Sequence, residues 1–184
     1  MDPKVLRIGW SLAILSVLLL AIGCEDGGND SNAQLDPILQ AMAPVPSGQG
    51  VPEASSYGGP NPHQTVLLSS SGEKYGDWSY SLPQEWWPTA VSDTELVACI
   101  GQETETYTGE TWYWAGSQHV EIKYYKRSLP VELRQARTAQ VVAETVLESY
   151  PESVGDTVYS GGDIKADHVK YSAVEDWLRP YVTQ

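Results

Sequence analysis

Phenylalanine is absent from this 184-residue chain, and cysteine and methionine occur only twice each. The 11 tyrosines and 7 tryptophans therefore supply all the aromatic surface. Each of those rings carries an O–H or N–H that seeks a partner when buried, which suits half-wet positions and interfaces. Two cysteines permit at most one disulfide, so the chain is no disulfide scaffold and must be held by packing. Basic residues are scarce too: 11 Lys and Arg stand against 24 Asp and Glu, a formal charge of -13. Such a surface repels phosphate backbones, so nucleic acid and anionic headgroups are poor partners. Catalytic signatures are missing as well. There is no Gly-x-Ser-x-Gly, no Walker sequence, no His-Glu-x-x-His and no dinucleotide fingerprint, and no cofactor is implied.

The main apolar run is short. Ile8 to Ile22 is 15 residues, behind Lys4 and Arg7 and ahead of the small residues Ala21 and Gly23. A spanning helix needs roughly 20 residues, so a cleaved export signal is expected over residues 1–23. The stretch Leu18-Leu19-Leu20-Ala21-Ile22-Gly23-Cys24 resembles the lipobox of bacterial lipoproteins, with Ala21 where Leu is usual. That resemblance implies that Cys24 becomes the acylated first residue of the mature protein, anchored in the lipid bilayer of a cell envelope. One acyl chain anchors marginally and several hold durably. Glu25 after the cysteine favours the outer membrane in a Gram-negative host. Loss of residues 1–23 removes Asp2, Lys4 and Arg7, which takes the formal charge to -14 and leaves Cys99 as the one unmodified thiol.

Residues 24–63 are rich in Gly, Pro, Ser, Asn and Asp and read as a disordered tether. Within it, Asp36 to Met42 has an N-cap residue followed by Pro37, and Leu35, Ile38, Leu39 and Met42 share one helical face. So short a helix orders only against a domain, membrane or partner; the competing reading is a disordered stretch. Residues 64–184 read as one globular α+β domain, a small and mostly antiparallel sheet closed by a C-terminal helix. Its expected parts start with a strand at Thr65–Leu68 and a Pro-bounded stretch carrying Trp86 and Trp87, read as an ordered loop or one turn of helix. A strand from Glu95 to Tyr107 then leaves the core, Gly109 marks a turn, and a hairpin joins Thr111–Ala115 to Val120–Lys126. Residues 131–148 fit either a second hairpin or one amphipathic helix. A terminal helix opens at Ser172, with Trp177 as its anchor in the core.

The order of Leu96-Val97-Ala98-Cys99, Tyr113 with Gly116, Ala136-x-Thr138-x-x-Val141 and Val174-x-x-Trp177-Leu178 resembles that of uncharacterised secreted or lipoprotein domains of bacteria. The resemblance implies a fold and a compartment, with no activity attached. It also implies that Cys99 is the orphan of a cross-strand disulfide whose partner position is Thr111, and that Ala139 stands where a glycine is usual.

Trp112 and Trp114 are the main candidate ligand-contacting residues, because a two-residue offset on a strand puts both indoles on one face and Tyr113 on the other. They can stack on sugar rings; equally they can cover the core beneath the terminal helix. His119 and Glu121 share a strand face, and Asp163, Asp167 and His168 are further oxygen and nitrogen donors, but neither set has a recognised metal spacing. Cys99 sits amid Val97, Ala98 and Ile100 and reads as a packed thiol rather than a nucleophile. Glu103, Glu105 and Glu110 read as solvated charges. The expected role is an envelope lipoprotein that binds an extracytoplasmic protein or glycan or serves structurally. The alternative is a small hydrolase of envelope polysaccharide, which needs two facing carboxylates beside the tryptophans.

Overall fold

The computed structural model describes residues 30–152 and 161–184, so the signal segment and Cys24 lie outside the described residues. The described chain forms helices α1 (Asp30–Met42) and α2 (Tyr171–Val182) and strands β1 (Thr65–Ser69), β2 (Leu96–Ile100), β3 (Thr104–Ala115), β4 (Gln118–Gln135), β5 (Val141–Ser149) and β6 (Gly162–Lys165). The class is α+β. The sheet is mixed and open, which corrects the expectation of one closed by the terminal helix. The β1–β2 and β4–β6 pairs are parallel, while β2–β4, β3–β4 and β4–β5 are antiparallel. Among the described residues β3 and β5 each pair with β4 alone.

Strand β4 organises this sheet because its two halves have different neighbours. Its 18 residues span about 60 Å at roughly 3.3 Å each. Residues near its end pair with β2 on one edge and β5 on the other, whereas its first half pairs with β3 and β6. The two helices cover only the end that holds β1 and β2. On one face Leu129, Val131 and Leu133 alternate along β4 and pack with Ala98, Ile100 and the α2 residues Val174, Leu178 and Val182. On the other, Val66, Leu68, Val97 and Cys99 lie against Leu35, Ile38, Leu39 and Met42 of α1. Each such side chain contributes about 1.5–3 kcal/mol by leaving water.

The α2 stripe of residues 174, 178 and 182 makes Leu178, fully buried, the anchor of that helix. Trp177 lies beside the stripe, half-buried with its ring 5.5 Å from that of Tyr181. The helix also starts earlier than expected, with Lys170 at its N-cap instead of Ser172.

From Asp30 onward the expected tether is corrected. The α1 face of Leu35, Ile38, Leu39 and Met42 is buried on the sheet, and Val45, Val51 and Ala54 continue that layer. Here glycine serves close approach rather than disorder: a Cβ on Gly50 would lie 2.2 Å from the Arg137 carbonyl oxygen. The neighbouring Val51 N–H donates to the Ala136 carbonyl at 2.9 Å. Farther on, the buried His63 Nδ1 lies 2.9 Å from Glu95 Oε2, and the Tyr57 ring meets the imidazole edge-on.

Residues 131–148 form a hairpin: Leu133 pairs with Ala143 and Val131 with Thr145 across β4 and β5. Sheet packing overrides the good helix propensity of these residues. Its turn holds Ala139 at φ 56°, the left-handed conformation for which glycine is preferred. The single strand expected from Glu95 to Tyr107 is in fact two, β2 and β3, parted where the Gly101 N–H donates to the Pro130 carbonyl. The implied disulfide is excluded by register. Cys99 pairs with Glu132 while Thr111 pairs with Ile122, ten positions and about 33 Å apart along β4, against the roughly 7 Å Cα limit of a disulfide.

Candidate functional site

Beyond the helices, β3 and the first half of β4 project as a long hairpin joined by the two residues Gly116–Ser117. Trp112 lies opposite Glu121 and Trp114 opposite His119. All four side chains therefore fall on one face, the face that α2 covers farther down the sheet. Both indoles are out in water, Trp112 at 58% and Trp114 at 69% exposure, which settles against the reading that they cover the core. The Trp114 and His119 rings are 3.7 Å apart between centroids and tilted by 54°. Tyr113 points to the other face, its hydroxyl 3.4 Å from that of Tyr124.

Gly109 does not mark a turn. It sits in β3 at a bulge where the register shifts between Tyr107 and Gly109, with φ 151°. The extra residue resets the alternation. Tyr107, opposite Tyr125, and Glu110, opposite Lys123, consequently join Trp112 and Trp114 on one face although 107 and 110 differ in parity. The Tyr107 hydroxyl donates to Glu110 at 3.1 Å. Sequence reading missed Tyr107, Lys123 and Tyr125, and the one signal for them was a glycine inside a strand-like run. The Tyr107 hydroxyl above all, with the Trp112 indole, holds the Glu110 carboxyl below the usual carboxylate range against the opposing effect of desolvation. Lys123 lies 3.6 Å from Glu121.

At the base of the hairpin an ionic clamp joins it to the helical end. Glu103 Oε2 lies 3.0 Å from Arg127 Nη1 and 2.5 Å from His168 Nδ1, and Glu103 Oε1 accepts the Val169 N–H at 2.8 Å. Arg127 also reaches Glu105 at 2.9 Å, and Lys165 of β6 holds the second oxygen of Glu105 at 2.7 Å. The expectation that these acids are merely solvated thus fails for Glu103 and Glu105, whose charges tie β3, β4, β6 and the approach to α2 together.

The other candidates do not assemble into chemistry. Among the described residues no group of three or more His, Cys, Asp or Glu side chains could hold a metal ion. His119 and Glu121 share a face as expected, whereas His168 is engaged with Glu103. Cys99 is buried, its Sγ lies 3.8 Å from the Val97 carbonyl oxygen, and desolvation pushes its thiol up to about 12. At neutral pH it is a protonated, inert thiol. A shallow groove of about 500 Å³ runs past it, lined by Pro46, Pro130, Glu132, Glu144 and Val146. No known protein family, characterised protein or solved structure matches this chain.

Proposed function

We propose that this protein is a lipid-anchored envelope lipoprotein, held through Cys24, whose β3–β4 hairpin binds an extracytoplasmic glycan. The observation that carries the reading is the exposure of Trp112 and Trp114 side by side on one sheet face, with Tyr107 also 48% exposed. Exposed apolar rings rimmed by polar groups mark interaction surfaces. Among the described residues the face comprises Tyr107, Glu110, Trp112, Trp114, His119, Glu121, Lys123 and Tyr125, flanked by Asp163 and Lys165 of β6, and contains no aliphatic residue. Protein interfaces bury an apolar core. Rings interleaved with hydrogen-bonding groups suit sugars, which offer C–H faces to the indoles and hydroxyls to the carboxylates and imidazole.

The acidic surface favours a neutral or amine-bearing sugar over an anionic one.

The test is retention of the purified protein on a panel of immobilised polysaccharides. Trp112→Ala and Trp114→Ala should each weaken retention at least about tenfold, the loss of roughly 1.4 kcal/mol expected of an aromatic anchor. Circular dichroism should stay unchanged. Wild-type retention by the double variant, or capture of a protein partner in place of polysaccharide, would sink the glycan reading.

A further inference from the structure

Only residues 25–29 separate Cys24 from the first residue of α1, since α1 begins at Asp30. Five residues fully extended reach about 18 Å. The start of α1 is placed in turn by the loop before β2: Gln34 Nε2 reaches the Thr89 carbonyl at 3.5 Å, and Gln34 and Leu35 line a small cleft with Gln84, Trp87, Pro88 and Thr89. That loop belongs to the end of the sheet where β1 and β2 begin, because Gln64, next to Thr65, donates to the Glu85 carbonyl. Leu96 there pairs with Gln135, the last residue of β4. The turn at Gly116–Ser117 precedes the first residue of β4. The start of α1 and the hairpin tip are therefore at opposite ends of the strand, about 60 Å apart along it.

We infer that the end of the domain formed by residues 84–93 is the surface apposed to the bilayer, and that the hairpin stands away from it, presenting Trp112 and Trp114 at the far end. This rests on the lipid anchor at Cys24. A 40-residue leash would let the domain tumble freely; a five-residue link does not. Lying flat would bring the whole length of a mature chain with a formal charge of -14 against the lipid, and an anionic leaflet opposes that pose more than contact through one end of the domain. The occupant of the 84–93 surface is thus the same bilayer that holds the acyl chains.

The test uses the acylated full-length protein in phosphatidylethanolamine–phosphatidylglycerol vesicles containing an energy-transfer acceptor lipid. A donor dye is placed at Glu85→Cys or at Ser117→Cys, both exposed positions, while the buried Cys99 thiol stays unlabelled. Transfer should be at least threefold more efficient from residue 85 than from residue 117. Thirty Gly/Ser residues inserted between 29 and 30 should bring the two within a factor of about 1.5. Equal or stronger transfer from residue 117 without the insertion overturns the orientation while leaving the anchor intact. If neither dye transfers and the protein fails to float with vesicles, as Cys24→Ser is expected to fail, the anchor and the orientation fall together.

Discussion

The two ends of β4 obey the same two-residue alternation and yet live in opposite surroundings. Leu129, Val131 and Leu133 are buried beneath α2, whereas among the described residues no helix lies over His119, Glu121, Lys123 and Tyr125 on the same face. What differs is coverage, since α1 and α2 each span only one end of the sheet. The covered end holds the fold together, and the bare end is free to carry rings that a core would have swallowed. Stability and recognition are thus divided along one strand, and that division can be attacked from either side.

The largest effect is expected from the covered end. Leu133, fully buried between β2, β5 and α2, should lose about 3–4 kcal/mol on Leu133→Ala, from transfer and cavity terms together. Trp112→Ala with Trp114→Ala should change urea unfolding by less than about 0.5 kcal/mol, as surface substitutions do. A hairpin double variant as destabilised as Leu133→Ala would mean that the rings are part of the core and that the division is wrong.

Next in size is the clamp that joins the two ends. Removing the Arg127 guanidinium leaves Glu103 and Glu105 without their shared cation, and Arg127→Ala should cost about 2 kcal/mol, in the range of charge-assisted hydrogen bonds. The clamp also has a pH signature. Desolvation raises the Glu103 carboxyl, but the Val169 N–H, Arg127 and His168 outweigh it and hold it below the ordinary 4.5. A folded pKa depressed in this way contributes fully above the unfolded value and is lost as pH falls through the lower folded one. The stability gap between wild type and Glu103→Gln should therefore be widest near neutral pH and shrink below pH 4.5. A gap that widens on acidification would contradict the clamp.

Much of the fold was legible because apolar runs and helical spacing report burial directly, as in Thr65–Leu68 and in the recurrence of Val174 and Leu178, whereas the alternation at Val131–Leu133 fitted a helix as well as a hairpin. Three things were not. Gly50 and its neighbours have the composition of a linker, and their ordering comes from backbone approach to Arg137, which no side-chain pattern encodes. The parallel pairings of β1 with β2 and of β4 with β6 are contacts between distant segments and leave no local mark. At the site, Trp112 and Trp114 could be put on one face by spacing alone, but their exposure depended on where α2 stops, and Tyr107 reached them only through the bulge at Gly109.

The smallest effect concerns Ala139, in the turn at the covered end. Its left-handed backbone at φ 56° costs an alanine about 1 kcal/mol or slightly more, which glycine would not incur. Its methyl, however, belongs to a residue only 4% exposed in the layer under α1, and losing a buried methyl costs about 0.8 kcal/mol. Ala139→Gly should therefore move the urea midpoint by less than the equivalent of about 0.5 kcal/mol, the relief of strain being offset by lost burial. A bulkier residue cannot draw on the same compensation: Ala139→Val adds β-branching to the left-handed backbone and volume to a closed layer, and should cost about 2 kcal/mol or more. Equal tolerance of glycine and valine would show that this turn is not packed as tightly as the rest of the covered end, and would move the boundary between the two regions of β4 toward Gln135.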